Sequence, residues 1–292
     1  MTLYWTRSLL IGLMFACAGC ATTSAVMQQE ASGAEPLADE RPYIVGGRKD
    51  AGNVYLSTVI VDADGVDGAD CSGILISPRL VLTAGHCVCM EQPISAPVSE
   101  ARTIVDGSLC STEVAVVTKS YGNPTRFNRY SAFKVMPHPE LQLFYRGDGF
   151  LMQGRADLAI IYLKDPIHDI PAIRLAQSGV RPGSAIAIVG YGFTDLKRTE
   201  SGERYYGNTS VAEVQGETFL VEKPGPHAFH GDSGGPCLRW LQGVTQPVLV
   251  GIIRGGAAPA YSTFTNTSVP RNRDWIEAVK KEAEEQGTKS VR

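Results

Sequence analysis

Three short stretches set a histidine, an aspartate and a serine beside apolar runs: LTAGHC around His86, GRADLAIIYL around Asp157 and HGDSGGP around Ser233. A serine hydroxyl holds its proton at neutral pH and is a poor nucleophile. A histidine within hydrogen-bond reach can take that proton and later deliver it to a leaving amine, while a buried carboxylate on the far ring nitrogen fixes the tautomer and stabilises the imidazolium. Each of these residues alone is more often structural. Together, each next to a strand-like segment, they point to nucleophilic attack on a carbonyl.

Residues of this kind need a rigid frame. From Ile44 onward, short runs rich in Val and Ile, among them VYLSTVIV, GILIS, LVLTA, EVAVVTK, LAIIYL, AIAIVGYG, TFLVEK and PVLVGII, alternate with Gly, Pro, Asp and Asn clusters. Their length and composition predict strands. The 31 glycines and 17 prolines fit many turns. Only the end differs: in VPRNRDWIEAVKKEAEEQGTK, Trp275, Ile276 and Val279 fall at helical spacing, and the pattern stops near Gly287. With 292 residues, 43% of them hydrophobic, and a formal net charge of −3, the chain suits a globular protein with a sizeable core. Nothing in that charge predicts nucleic-acid binding.

The first 20 residues read as a signal peptide, with Arg7 before an apolar run from Leu9 to Ala16 that is too short to span a bilayer. Two exits compete. Ala16-Cys17-Ala18 suits ordinary signal peptidase, and Ala18-Gly19-Cys20 is similar to a bacterial lipobox that would place a lipid on Cys20, although Cys17 stands where an aliphatic residue is usual. Either route exports the chain, to a bacterial envelope as a lipoprotein or outside the cell. Residues 21–43 are small and polar, a leader or propeptide. Export invites disulfides among Cys71, Cys87, Cys89, Cys110 and Cys237, an odd number whose connectivity sequence does not settle. Cys87-Val88-Cys89 with Cys110 lacks the usual zinc spacing, so neither metal nor cofactor is expected.

Over roughly residues 44 to 285 the chain resembles the trypsin/chymotrypsin-type serine proteases. IVGG opens the body, CSGILISPRLVLTAGHC carries the histidine, MPHPEL precedes the aspartate, GYG at 190–192 stands for a Trp-Gly turn with Tyr191 substituted, and GDSGGP surrounds the serine. The order His, Asp, Ser is that of this family. The resemblance implies an all-β fold of two packed six-stranded antiparallel β-barrels with a C-terminal helix. It would divide the chain into a barrel over 44–165 with His86 and Asp157, a barrel over 166–270 with Ser233, and a helix over 271–287. It further implies His86 as general base then acid, Asp157 as its orienting partner, Ser233 as nucleophile, and the N–H groups of Gly231 and Ser233 as an oxyanion hole. Cys71–Cys87 matches the family's disulfide across the histidine loop; Cys89–Cys110 would span a local insertion and leave Cys237 as a buried thiol.

Two features depart from the family. His227, six residues before Ser233, would lie at the base of the specificity pocket, with Arg254, Gly256 and Ala260 along its walls. Two basic groups there suggest an acidic residue before the cut bond. The family's activation pairs a new ammonium at Ile44 with Asp232, yet Tyr43, not Lys or Arg, precedes Ile44. The expectation is an exported endopeptidase acting on proteins or peptides, made as a zymogen and cut by another protease. A protease-like binding module or an esterase would share the same residues.

Overall fold

A computed structural model describes residues 44, 46–66, 71–94, 100–192, 202–222, 225–257 and 261–289. The signal peptide, the leader, Cys20 and Ala260 lie outside the described residues.

Six strands close into a barrel in the order Ala159–Leu163, Leu80–Thr83, Cys71–Ser77, Thr58–Ala63, Val114–Ser120 and Arg126–Pro137, the last pairing back to the first. Closure leaves no free edge. The runs read as strands hold their place because almost every side chain of Cys71–Ser77 and Leu80–Thr83 is buried, which β-branched and aliphatic residues suit. The first run is shorter than its apolar pattern: VYLSTVIV begins pairing only at Thr58, because the Asp50 carboxylate accepts the N–H groups of Val54 and Tyr55 and holds them in a turn.

A second sheet of nine strands runs Arg48–Lys49, Tyr205–Ser210, Ala185–Gly190, Pro236–Arg239, Val248–Ala257, Tyr261–Asn266, Thr218–Glu222, Glu213–Gln215, with Arg174–Leu175 parallel to Val248–Ala257. Its core packs Ile44, Ile188, Val221 and Val250 with the stacked rings of Phe219 and Phe264. The architecture is therefore the mostly-β double barrel with one C-terminal helix, extended beyond six strands on the second side.

The helix is Pro270–Lys289, passing through Gly287 rather than ending there. A helical glycine costs about 1 kcal/mol and does not by itself terminate the element. Pro270 suits a first turn, where its missing N–H has no partner to lose, and Asn272 Nδ2 donates to the Asn266 carbonyl at 2.8 Å. One element has no counterpart in the sequence reading: a four-stranded sheet of Leu151–Arg155, Gln142–Arg146, Ala101–Val105 and Gln92–Pro93. It is built from the segment after His86 and the segment before Asp157, so it flanks both.

Candidate active site

His86 sits in a single turn of 3-10 helix, Gly85–Cys87, that ends the strand Leu80–Thr83. A disulfide joins Cys87 to Cys71 at the start of the neighbouring strand, tying the turn to the barrel. A second disulfide joins Cys89 to Cys110, and Cys237 is a buried free thiol. Cys71, His86 and Cys87 cluster tightly enough for a metal, but both sulfurs are in the disulfide and offer no thiolate.

Asp157 is 1% exposed and reaches His86 twice. His86 Nδ1 lies 2.8 Å from Asp157 Oδ2, and the His86 backbone N–H donates to Oδ1 at 3.1 Å. An ionised carboxylate only accepts, so Nδ1 carries the proton and Nε2 is left as the acceptor that a base needs. Burial works to raise the Asp157 pKa, but the charge and hydrogen bonds of His86, joined by the charge of Arg254, hold it below the usual carboxylate range. Just before it, Ala156 adopts φ +48°, a left-handed conformation that costs a non-glycine residue about 1 kcal/mol or more and aims the carboxylate inward. From the other sheet, Thr265 Oγ1 donates to the Asp157 carbonyl at 3.3 Å.

Ser233 is half-buried on a loop pinned to the first barrel by one residue. Ser72 donates its N–H to the Ser233 carbonyl at 2.8 Å and its hydroxyl to the Gly231 carbonyl at 2.9 Å. The Ser72 hydroxyl in turn accepts the Tyr191 N–H at 2.9 Å. Gly234, at φ +81°, passes so close that a Cβ would stand 2.1 Å from Thr83 Oγ1 and 2.2 Å from the Ser72 carbonyl. A side chain there would push the nucleophile off the strand that leads to His86. The carbonyls of Gly231 and Ser233 are thus occupied, while their N–H groups donate to no described residue. Two unspent N–H donors beside a serine are what an oxyanion requires. Among the described residues, no hydrogen bond joins the Ser233 hydroxyl to His86 Nε2.

The loop's other anchor is Asp232, fully buried. Its carboxylate accepts the N–H of Gly192 at 2.9 Å and of Phe229 at 2.8 Å. A Cβ on Gly192 would lie 2.6 Å from Asp232 Oδ1, so glycine is required for the approach. Burial pushes the Asp232 carboxyl up to about 7, against those two donors, which favour its charged form. Ile44 is 1% exposed, buried in the core of the second sheet.

Of the residues expected in the specificity pocket, His227, Arg254 and Gly256 are among the described residues. His227 is buried, with Nδ1 2.8 Å from the Gly225 carbonyl, so this nitrogen donates within its own loop. Gly256 pairs with Ser262 in the sheet. Arg254 projects instead toward Gly154 and Leu143 of the added four-stranded sheet. Sequence reasoning missed Ser72, which nothing but its position next to Cys71 marks.

The family model described as Trypsin matches residues 44–276. The cercarial protease of Schistosoma mansoni is 29% identical over 225 residues, covering 65% of this chain and 72% of the relative. Venom serine protease 34 of Apis mellifera is 25% identical, covering 82% of this chain and 59% of that longer protein. A trypsin of Sarcophaga bullata is 26% identical, covering 73% and 79%. Among solved structures, neuropsin, a serine protease expressed in the limbic system of mouse brain, aligns with a TM-score of 0.58 at 17% identity, covering 80% of this chain and 98% of its own; that likeness speaks to fold.

Proposed function

Because this chain belongs to the trypsin family and is a serine endopeptidase, we propose that it hydrolyses peptide bonds through His86, Asp157 and Ser233. The observation that carries this assignment of residues is the 2.8 Å contact of His86 Nδ1 with Asp157 Oδ2, which leaves Nε2 facing away as a base. Ser233 attacks the carbonyl carbon while His86 takes its proton. The tetrahedral oxyanion is met by the N–H groups of Gly231 and Ser233, donors of a kind worth about 3–4 kcal/mol each because the charge appears only in the transition state. The protonated His86 then gives its proton to the leaving amine, and water repeats the sequence on the acyl-enzyme. The working unit is two barrels, 44–165 and 166–270, closed by the C-terminal helix.

Activation is proposed to follow cleavage between Tyr43 and Ile44 by a protease that accepts an aromatic residue. The burial of Ile44 supports this, since its new ammonium would form inside the protein, where Asp232 holds an uncompensated carboxyl. The two disulfides point to an extracellular protein. A lipid on Cys20 in a bacterial envelope rests on the sequence around that residue alone, and the animal relatives do not support it. The substrate is proposed to carry an acidic residue before the cut bond.

Intact mass of the purified protein after a fluorophosphonate probe tests the core of this reading. One adduct on a chain beginning at Ile44, absent from the Ser233→Ala protein, is the expected result. A chain cut at that bond that takes no adduct and cleaves no peptide would refute it.

A further inference from the structure

Arg254 is one residue beyond Ile253, which pairs both ways with the turn behind the nucleophile: Gly234 donates to the Ile253 carbonyl and Ile253 to the Gly235 carbonyl, each at 2.8 Å. Its side chain leaves that strand and lies over Gly154, three residues before Asp157. A Cβ on Gly154 would fall 2.0 Å from an Arg254 terminal nitrogen and 2.5 Å from Leu143. The guanidinium therefore occupies the slot that any side chain at 154 would fill. It stands between the strand that backs the serine loop and the segment that leads to Asp157.

Arginine in such a place is normally answered by a carboxylate or a carbonyl, since its planar fork carries five donors. Among the described residues Arg254 makes no hydrogen bond and no ion pair, and its Nε is buried without a partner. The neighbouring groups sharpen the point. Asp157 is near enough for the charge of Arg254 to favour its ionised form, but its oxygens are already taken by the His86 ring and backbone. Tyr145, also within reach of that charge, is held neutral, with burial raising its pKa far above the usual phenol value. The charge of Glu91 also acts on Tyr145, and Arg155, on the same strand as Gly154, donates to Gln142 Oε1. A half-buried guanidinium with unanswered donors is a site for an acceptor from outside.

We infer that Arg254, seated in the space left by Gly154, is the specificity-determining residue of this protease and receives a carboxylate side chain of the substrate, Glu or Asp, against the Leu143–Gly154 wall. This deepens the proposed endopeptidase reading and rests on it. It also moves the acid preference away from His227, whose Nδ1 is spent on Gly225, to the side of the cleft next to Asp157. Charge favours the acid over its amide. With His86 neutral, Asp157 and Arg254 sum to zero, so an acidic substrate meets a net attraction from the nearer cation. Without Arg254 the same substrate meets Asp157 alone.

The test is binding, so that it does not depend on turnover. The full chain carrying Ser233→Ala, uncut and after cleavage before Ile44, is used to select from a random peptide library containing Glu, Gln, Asp and Asn at equal frequency. The expected result is about a tenfold enrichment of the acids over their amides at one peptide position. Adding Arg254→Gln should remove that enrichment, and Arg254→Lys should retain part of it, showing that the charge and not a misfolded site is responsible. Equal recovery of acids and amides by the Ser233→Ala chain in both forms, or an enrichment unchanged by Arg254→Gln, would overturn the inference. Fluorophosphonate labelling of the chain with Ser233 intact reports separately on the hydrolase reading, so the two fail in different experiments.

Discussion

Arg204 Nε lies 2.8 Å from Asp50 Oδ2, and the two side chains are 0% and 1% exposed. The guanidinium also donates to the Lys119 carbonyl, the Tyr191 hydroxyl and Asn53 Oδ1. Tyr191 passes its N–H to Ser72, and Ser72 holds the Gly231 carbonyl. A continuous path of hydrogen bonds and backbone thus runs from the N-terminal segment to the loop that bears the nucleophile.

Removing one partner of a buried pair leaves the other charge unanswered, at a typical cost of about 3–5 kcal/mol. Arg204→Met and Asp50→Asn are each expected to lose stability of that order in urea unfolding. The double variant should lose less than the sum, because it strands neither charge. Additive losses would mean that the pair contributes no coupling.

Ser72→Ala separates positioning from folding. It deletes the donor to Gly231 and leaves the Tyr191 N–H without its acceptor, a loss of about 1–3 kcal/mol for a buried group. Since the Gly231 carbonyl and Gly231 N–H flank the same residue, freeing one misplaces the other. Steady-state kinetics should show kcat down about tenfold or more with KM changed little, because an oxyanion donor acts only in the transition state. A loss carried by KM alone would argue that Ser72 shapes substrate binding instead.

The contrast between these residues and the triad shows what a sequence displays. His86, Asp157 and Ser233 stand in short motifs whose neighbours are constrained by backbone geometry, as with Gly234 against Thr83, so local pattern reveals them. Arg204 sits in a polar stretch, SGERYYG, that reads as surface; only the folded partner, Asp50, 154 residues earlier, explains its burial. The strand Arg126–Pro137 has most side chains exposed on both faces, so no alternation marks it. The four-stranded sheet is likewise assembled from two distant segments, and its pairing between Ala101–Val105 and Gln142–Arg146 follows no local signal. Arg254 was visible as a basic residue near the pocket, but its direction was not, since the cause lies in the missing side chain of Gly154.

His138 couples the C-terminal helix to pH. Its ring meets Trp275 edge-on at 4.7 Å, its Nδ1 accepts the Glu140 N–H at 3.1 Å, and its Nε2 is buried without a partner. Burial, helped by the charge of Arg271 and opposed by Glu140, pushes its pKa down to about 4 from 6.5. Because the folded value is depressed, the unfolded chain binds the extra proton between these limits. The contribution is complete above about pH 6.5 and is lost as pH falls through 4, about 3 kcal/mol in all. His138→Gln, which keeps an acceptor and cannot charge, should be less sensitive than the parent over that range in urea unfolding. Parallel stability curves would show that His138 takes up its proton as readily in the folded protein as in the unfolded chain.

Asp232 gives the opposite slope in the uncut chain. Its folded pKa is about 7 against an ordinary 3.8, so the folded state keeps a proton that the unfolded state has released. Stability therefore falls as pH rises from about 4 to 7, by about 4 kcal/mol across the window. Cleavage before Ile44 should reverse this, because an ammonium beside the carboxylate favours its charged form and lowers its pKa. Unfolding in urea from pH 4 to 7, with Ser233→Ala present to prevent self-digestion, compares uncut, cut and Asp232→Asn chains. The uncut chain should weaken with rising pH relative to Asp232→Asn, and the cut chain should strengthen relative to it. If cut and uncut chains share one slope, the Ile44 ammonium does not reach Asp232, and the loop carrying Gly231 and Ser233 must be set by Gly192, Phe229 and Ser72 alone.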